Sequence, residues 1–218
     1  MASAISKKVL AHTLLIAASI LVFAGLSATQ TAAQSAASKE YKRLVNLQAA
    51  LRKIPMDRQN KEPHRSFLKR NDKDIVYSEP AGEWYVRSDR FWDLQKKYKT
   101  LPIADQIAWT AAENQLPGEC EGYIPCHLSV VRMTYGEYLS LYPNGKYSRK
   151  AFKRPSSHLD IWPMMRSRQR KTMMAIEAGD DAEFTKAIKD LRGIFSKTKY
   201  PETAKALAQL KQIEEGYK

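Results

Sequence analysis

From Tyr41 onward, apolar residues return every three or four positions, and most of these runs stop at a proline. That return matches the 3.6-residue turn of an α-helix and not the two-residue repeat of a strand, so each run describes one buried helix face. Tyr41, Leu44, Leu47, Leu51 and Ile54 make the first face, which ends at Pro55. Leu128, Val131, Tyr135, Tyr138, Leu139 and Tyr142 make a second, ending at Pro143. Asp180 or Asp181 is placed to cap a helix carrying Phe184, Ala187, Ile188, Leu191 and Phe195, and a last helix carries Ala204, Leu207, Leu210, Ile213 and Tyr217. Between these, Ser88 and Asp89 are positioned to cap "RFWDLQKKYK". Pro102 stands where a first helical turn tolerates it, ahead of "IADQIAWTAAENQL", and Pro117 with Gly118 should stop that helix. A chain built this way is expected to be mainly α.

One segment breaks the pattern. In "DIVYSEPAGEWYVRSD", β-branched and aromatic residues flank Pro80, Ala81 and Gly82, which reads as a β-hairpin over about residues 74–88. The polar stretch before it, "MDRQNKEPHRSFLKRNDKD", reads as a basic linker, and "NGKYSRKAFKRPSSH" reads as a connector. It leads into "LDIWPMMRSRQRKTMMAIEAG", where Pro163 marks a helix start or a kink.

The N-terminus carries an address. "MASAISKK" followed by "VLAHTLLIAASILVFAGL" is a short positive region and then an apolar run, the order of a secretory signal. Thr31 and Ala33 have the spacing a signal peptidase reads, so cleavage is expected after Ala33, with Ala37 as the second choice; an uncleaved anchor is the alternative. The expected organisation is a signal over residues 1–33, an N-terminal helix and basic linker over 34–73, and a helical domain over 74–218. The whole chain has 36 Lys and Arg against 23 Asp and Glu, a net charge of +13. Losing residues 1–33 removes Lys7 and Lys8 and no acid, which leaves +11. Such an excess favours anionic partners; outside the cytosol these are lipid, cell-wall polymer or an acidic protein face rather than nucleic acid. The bases are dispersed along the chain with one local concentration at "RSRQRK", where Arg166, Arg168, Arg170 and Lys171 form a candidate anionic-partner site. No aromatic residue is interleaved there, so the stacking platform of a single-strand nucleic-acid binder is missing.

Cys120 and Cys126 are the only cysteines, and they sit in "LPGECEGYIPCHL". Export supplies an oxidising compartment, so they are expected to form a disulfide that clasps the helices on either side. Closing so small a ring restricts the unfolded chain by about 2 to 2.5 kcal/mol. A metal site would need His127 and a fourth ligand such as His64 or Glu119, and the spacing fits no standard zinc pattern. The two-residue gap of a redox-catalytic pair is also absent. Glu119 and Glu121 could act as an acid and base pair, although acids so close in a turn usually point apart. Trp84, Tyr85, Phe91, Trp92 and Trp109 could line a groove but at helical spacing read first as core, and His64, His127 and His158 make no motif. No residue pattern calls for a cofactor or a resident metal.

Two resemblances add to this. "YGEYLSLYPNGKYSRKAF" and "KYPETAKALAQL" resemble the junctions of tetratricopeptide-like repeats in bacterial envelope proteins, where a helix ends at Tyr-Pro and the next begins after a short turn. The two Tyr-Pro pairs are 58 residues apart, against the roughly 34 of one repeat. The resemblance implies an antiparallel array of helix pairs, here with one small β-hairpin, acting as a non-enzymatic binding or scaffold module. The segment "YVRSDRFWDLQKKYKTLPIADQIAWTAAENQLPGECEGYIPC" is similar to one in uncharacterised exported bacterial proteins, which implies kinship without an activity. The expectation is an exported, periplasmic or secreted module that holds a protein or an anionic envelope polymer and reaches the membrane only through an uncleaved N-terminal segment. The alternative is an envelope hydrolase of cell-wall or carbohydrate material using Glu119 and Glu121.

Overall fold

The computed structural model of the protein describes residues 30–116, 120, 123–159 and 178–217. Residues 1–29, the larger part of the expected signal, and Pro117, Gly118, Pro163, Glu119, Glu121, Arg166, Arg168, Arg170 and Lys171 therefore lie outside the described residues. The described chain is mainly helical, with one two-stranded antiparallel sheet. Helix α1 covers residues 30–51. A 3-10 turn Met56–Arg58 and α2 (His64–Arg70) follow, then β1 (Ile75–Ser78), β2 (Glu83–Val86), α3 (Ser88–Lys97) and α4 (Ala104–Glu113). Next come α5 (Ile124–Val131), a π-helical stretch Arg132–Gly136, α6 (Glu137–Leu141), α7 (Ser148–Leu159), α8 (Ala178–Phe195) and α9 (Thr203–Tyr217). Among the described residues, no helix is long and apolar enough to cross a membrane.

Two apolar clusters share one helix. The first gathers Leu44, Leu47 and Leu51 of α1, Leu68 of α2, Ile75 and Val86 of the hairpin, Phe91 and Leu94 of α3, and Ile107 and Ala111 of α4. The second gathers Ala108 and Ala112 of α4 with the inward faces of α5 to α9. Helix α4 is buried on both sides because Ala104, Ala108, Ala111 and Ala112 add almost no bulk, which lets neighbouring helices approach closely while keeping the highest helix propensity. Sequence periodicity anticipated most of these faces. Phe184, Ala187, Ile188, Leu191 and Phe195 are all buried in α8. In α9 the inward alanine is Ala206 and not Ala204, which is exposed.

The hairpin is paired Ile75↔Val86, Val76↔Tyr85, Tyr77↔Trp84 and Ser78↔Glu83. Its turn needs Gly82, whose φ is +64°, and a Cβ there would also collide with Met56 Cε. Met56 belongs to the stretch expected to be a linker, and that stretch is built into the fold instead. Gln59 Nε2 donates to Gly82 O at 2.9 Å while Gln59 Oε1 accepts from Trp84 Nε1 at 3.0 Å. Phe67 and Leu68 then seat α2 on the first cluster. Two apolar residues and one amide were enough, and a polar average over the segment hides them.

Several ends differ from their sequence signals. Arg87, not Ser88, is the N-cap of α3, and no side chain caps it. Asp89 lies in the first turn and pairs with Arg87 at 2.7 Å. Helix α4 starts at Ala104, after Pro102, and stops at Glu113, ahead of Pro117. It stops there because Asn114 turns its amide outward from the helix: Nδ2 donates to Val86 O at 2.5 Å, while Gln48 Oε1 of α1 accepts from Val86 N at 2.8 Å. Val86, the last residue of β2, thus has both its N–H and its carbonyl held by side chains. Helix α8 already includes Ala178, so Asp180 and Asp181 are within it and do not cap it. The expected connector over residues 144–158 is mostly helix, since α7 starts at Ser148 and continues through Pro155.

Candidate functional site: a basic helix seated on α4

Asp105, Trp109 and Glu113 recur every four residues, so they follow one side of α4 over successive turns. Each holds a different part of the segment from Tyr135 to Arg154. Asp105 Oδ1 accepts from Tyr138 Oη at 2.5 Å, and Asp105 Oδ2 accepts from the backbone N of Lys146 at 2.8 Å. Tyr138 Oη in turn accepts from Tyr147 N at 3.0 Å. Trp109 stacks on Tyr147 with centroids 5.2 Å apart and planes 9° from parallel, and meets Tyr138 edge-on at 5.7 Å. Glu113 Oε1 accepts from Tyr135 Oη at 2.8 Å, and its other oxygen lies 3.5 Å from an Arg154 nitrogen.

The turn between α6 and α7 is therefore clamped. Gly145 fits because it has no side chain: a Cβ would come within 2.7 Å of Tyr138 Oη and 2.9 Å of Asp105 Oδ2. Ser148 is fully buried, with Oγ 2.6 Å from Gly145 O and 2.9 Å from Tyr142 O. Burial, with the Asp105 carboxylate beside it, pushes the Tyr138 phenol pKa well above its usual range; burial and Glu113 do the same to Tyr135. Both phenols are held protonated as donors.

Helix α7 has two faces. Ala151 and Phe152 are buried under α8 and α9, where Phe152 meets Phe195 and Tyr200. Arg149, Lys150, Lys153 and Arg154 are exposed on the other side, with Lys146 in the turn before them. No acid occurs from Tyr138 to Leu159, so this face carries five cations with no acid in its own stretch of chain. Glu202 stands 3.9 Å from Arg149 and Glu113 stands 3.5 Å from Arg154. Such contacts at 64% and 57% exposed guanidinium groups leave most of the positive potential facing solvent.

This face was missed in the sequence because Asn144, Gly145 and Pro155 marked the segment as a connector. The signal that would have found it is the acid-free run between Glu137 and Asp160. The aromatic set named from sequence divides: Phe91, Trp84 and Trp92 pack in the first cluster, Trp92 also touches the second, and Trp109 belongs to the second. Among the described residues, no group of three or more His, Cys, Asp or Glu side chains could hold a metal ion.

Cys120 and Cys126 are joined, with Cα atoms 5.6 Å apart. Cys126 is the third residue of α5, and α4 has already ended seven residues before Cys120. The bond consequently pins the incoming loop to the first turn of α5 and does not bridge two helices. Replacing both cysteines with serine should lower the unfolding free energy by about 2 kcal/mol, the loop-closure value for this ring. Chemical denaturation checks this. Intact mass after alkylation without reductant should show no added groups on the wild-type protein. Compared with protein-family models, with curated proteins and with solved structures, the chain matches none.

Proposed function

We propose that the protein is an exported, non-enzymatic helical module of the bacterial envelope that holds an anionic partner on the outer face of α7. The observation that carries this is the row of Lys146, Arg149, Lys150, Lys153 and Arg154 along the turn before α7 and the outer side of α7, a segment tied to α4 by the Asp105, Trp109 and Glu113 contacts. Binding surfaces gain from such preorganisation, because a partner then orders little of the protein on contact. The signal-like N-terminus and the cysteine pair support export. A tetratricopeptide-like reading of the helices is supported by α3 with α4 and α8 with α9, neighbours in sequence that pack on each other across short turns.

The test is binding to a soluble polyanion as a function of salt. The Debye length falls from about 10 Å at 0.1 M to about 3 Å at 1 M, so binding should collapse over that range. Neutralising Arg149, Lys150, Lys153 and Arg154 to glutamine should weaken it strongly. Neutralising Arg166, Arg168, Arg170 and Lys171 measures the contribution of the second basic run. Binding that ignores salt, or that survives loss of the α7 cations, would sink the proposal.

A further inference from the structure

The start of α7 differs from the rest of its basic face. Lys146 Nζ and Lys150 Nζ both lie over the ring of Tyr147, at 5.4 and 6.0 Å from its centroid. The ring itself stacks on Trp109. Among the described residues, neither ammonium pairs with a carboxylate. A protein surface normally offsets two neighbouring like charges with an acid, since their repulsion is only partly screened by water. Here the π-cloud of one fixed ring gathers them instead, and their N–H donors remain open to solvent.

We propose that Lys146 and Lys150, positioned by Tyr147, form a phosphate subsite, and that the partner on α7 is a linear, base-free phosphodiester polymer. This rests on the anionic-partner reading above and gives it a chemical class. Two separate ammoniums approach a tetrahedral phosphate from different directions, each as a compact point charge with three donors. Beyond the subsite, Lys153 and Arg154 lie one helical turn further along, so cations recur about every 5–6 Å on one side of a helix. A row one helix wide suits a chain and not a sheet of headgroups. The outward residues Arg149, Lys150, Lys153 and Arg154 include no apolar side chain to insert between lipids. Stacking of nucleic-acid bases is disfavoured as well, because the Tyr147 ring is already engaged by Trp109 and two ammoniums.

The experiment is calorimetric titration of the full mature protein with lipid-free poly(glycerol phosphate), in parallel with polyglutamate and with vesicles containing an anionic phospholipid. Two charge-matched variants are compared, K146Q/K150Q and K99Q/K189Q; Lys99 and Lys189 are exposed and lie elsewhere on the molecule. The subsite predicts that K146Q/K150Q binds the phosphate polymer at least about tenfold more weakly, while K99Q/K189Q changes less than about twofold. Circular dichroism should show both variants folded, as their side chains are at the surface. Equal losses in the two variants would overturn the subsite and leave the basic-face function standing. Polyglutamate or vesicles bound as tightly as the phosphate polymer would overturn the partner class in the same way. If the wild-type protein binds none of the three probes at about 50 mM salt, the subsite and the anionic-partner function fall together.

Discussion

Phe152→Ala is expected to lower the unfolding free energy by about 3–5 kcal/mol, the range for truncating a fully packed aromatic side chain. Phe152 is 1% exposed, meets Phe195 edge-on at 5.1 Å, and lies against Tyr200 at 5.4 Å. Such pairs add about 0.5–1.5 kcal/mol beyond the area they bury. Its removal opens a cavity where α7 meets α8 and the turn into α9, and close-packed interiors relax only partly around such a loss. In a chain of this size a loss of 3–5 kcal/mol corresponds to a fall of roughly 10 °C in Tm. Polyanion binding, if α7 carries it as proposed, should weaken with it, because Arg149, Lys150, Lys153 and Arg154 are on the opposite face of the same helix. Phe152→Leu retains most of the volume and should recover much of both. Urea denaturation and titration of the two variants decide the matter. A stability loss under about 1 kcal/mol for the alanine variant would mean that α7 is not seated on α8 as described.

Tyr138→Phe should cost about 1–3 kcal/mol although it deletes a single oxygen, because it leaves Asp105 Oδ1 without its donor and Tyr147 N without its acceptor. Asp105→Ala removes the same bond from the other side and also frees the backbone N of Lys146. The double variant should therefore lose less than the sum of the two, a coupling of about 0.5–3 kcal/mol for residues in one network. Gly145→Ala attacks the same point sterically and should be comparably harmful. The network also predicts an alkaline signature. The folded-state pKa of Tyr138 is raised above that of an unfolded tyrosine, so the folded protein holds this proton more tightly. The resulting stabilisation is complete below about pH 10, the usual tyrosine value, and is lost as pH rises past it. Stability measured from about pH 8 to 12 should fall less steeply in Tyr138→Phe than in the wild type, with Tyr135 supplying the remaining slope.

Helical class, the hairpin and the buried faces of α1, α5, α8 and most of α9 were legible in the sequence, because burial along one element repeats with that element's own period. Leu44, Leu47 and Leu51 announce their common face without reference to any other part of the chain. The cysteine pairing was legible because the chain has only two cysteines, which leaves one possible intramolecular partner for each. Only the tertiary structure decided that residues 56–70 are held by Gln59, Phe67 and Leu68, and that Asn114 ends α4 by reaching Val86. It also decided the seat of the basic helix. Asp105 and Tyr138 are 33 residues apart, and Asp105 and Lys146 are 41 apart. An aspartate in the first turn of a helix reads locally as a favourable charge at the positive end of the dipole. Nothing in its neighbours reveals that both its oxygens are committed to a distant turn, because polar pairs across such distances are selected by packing and leave no period along the chain.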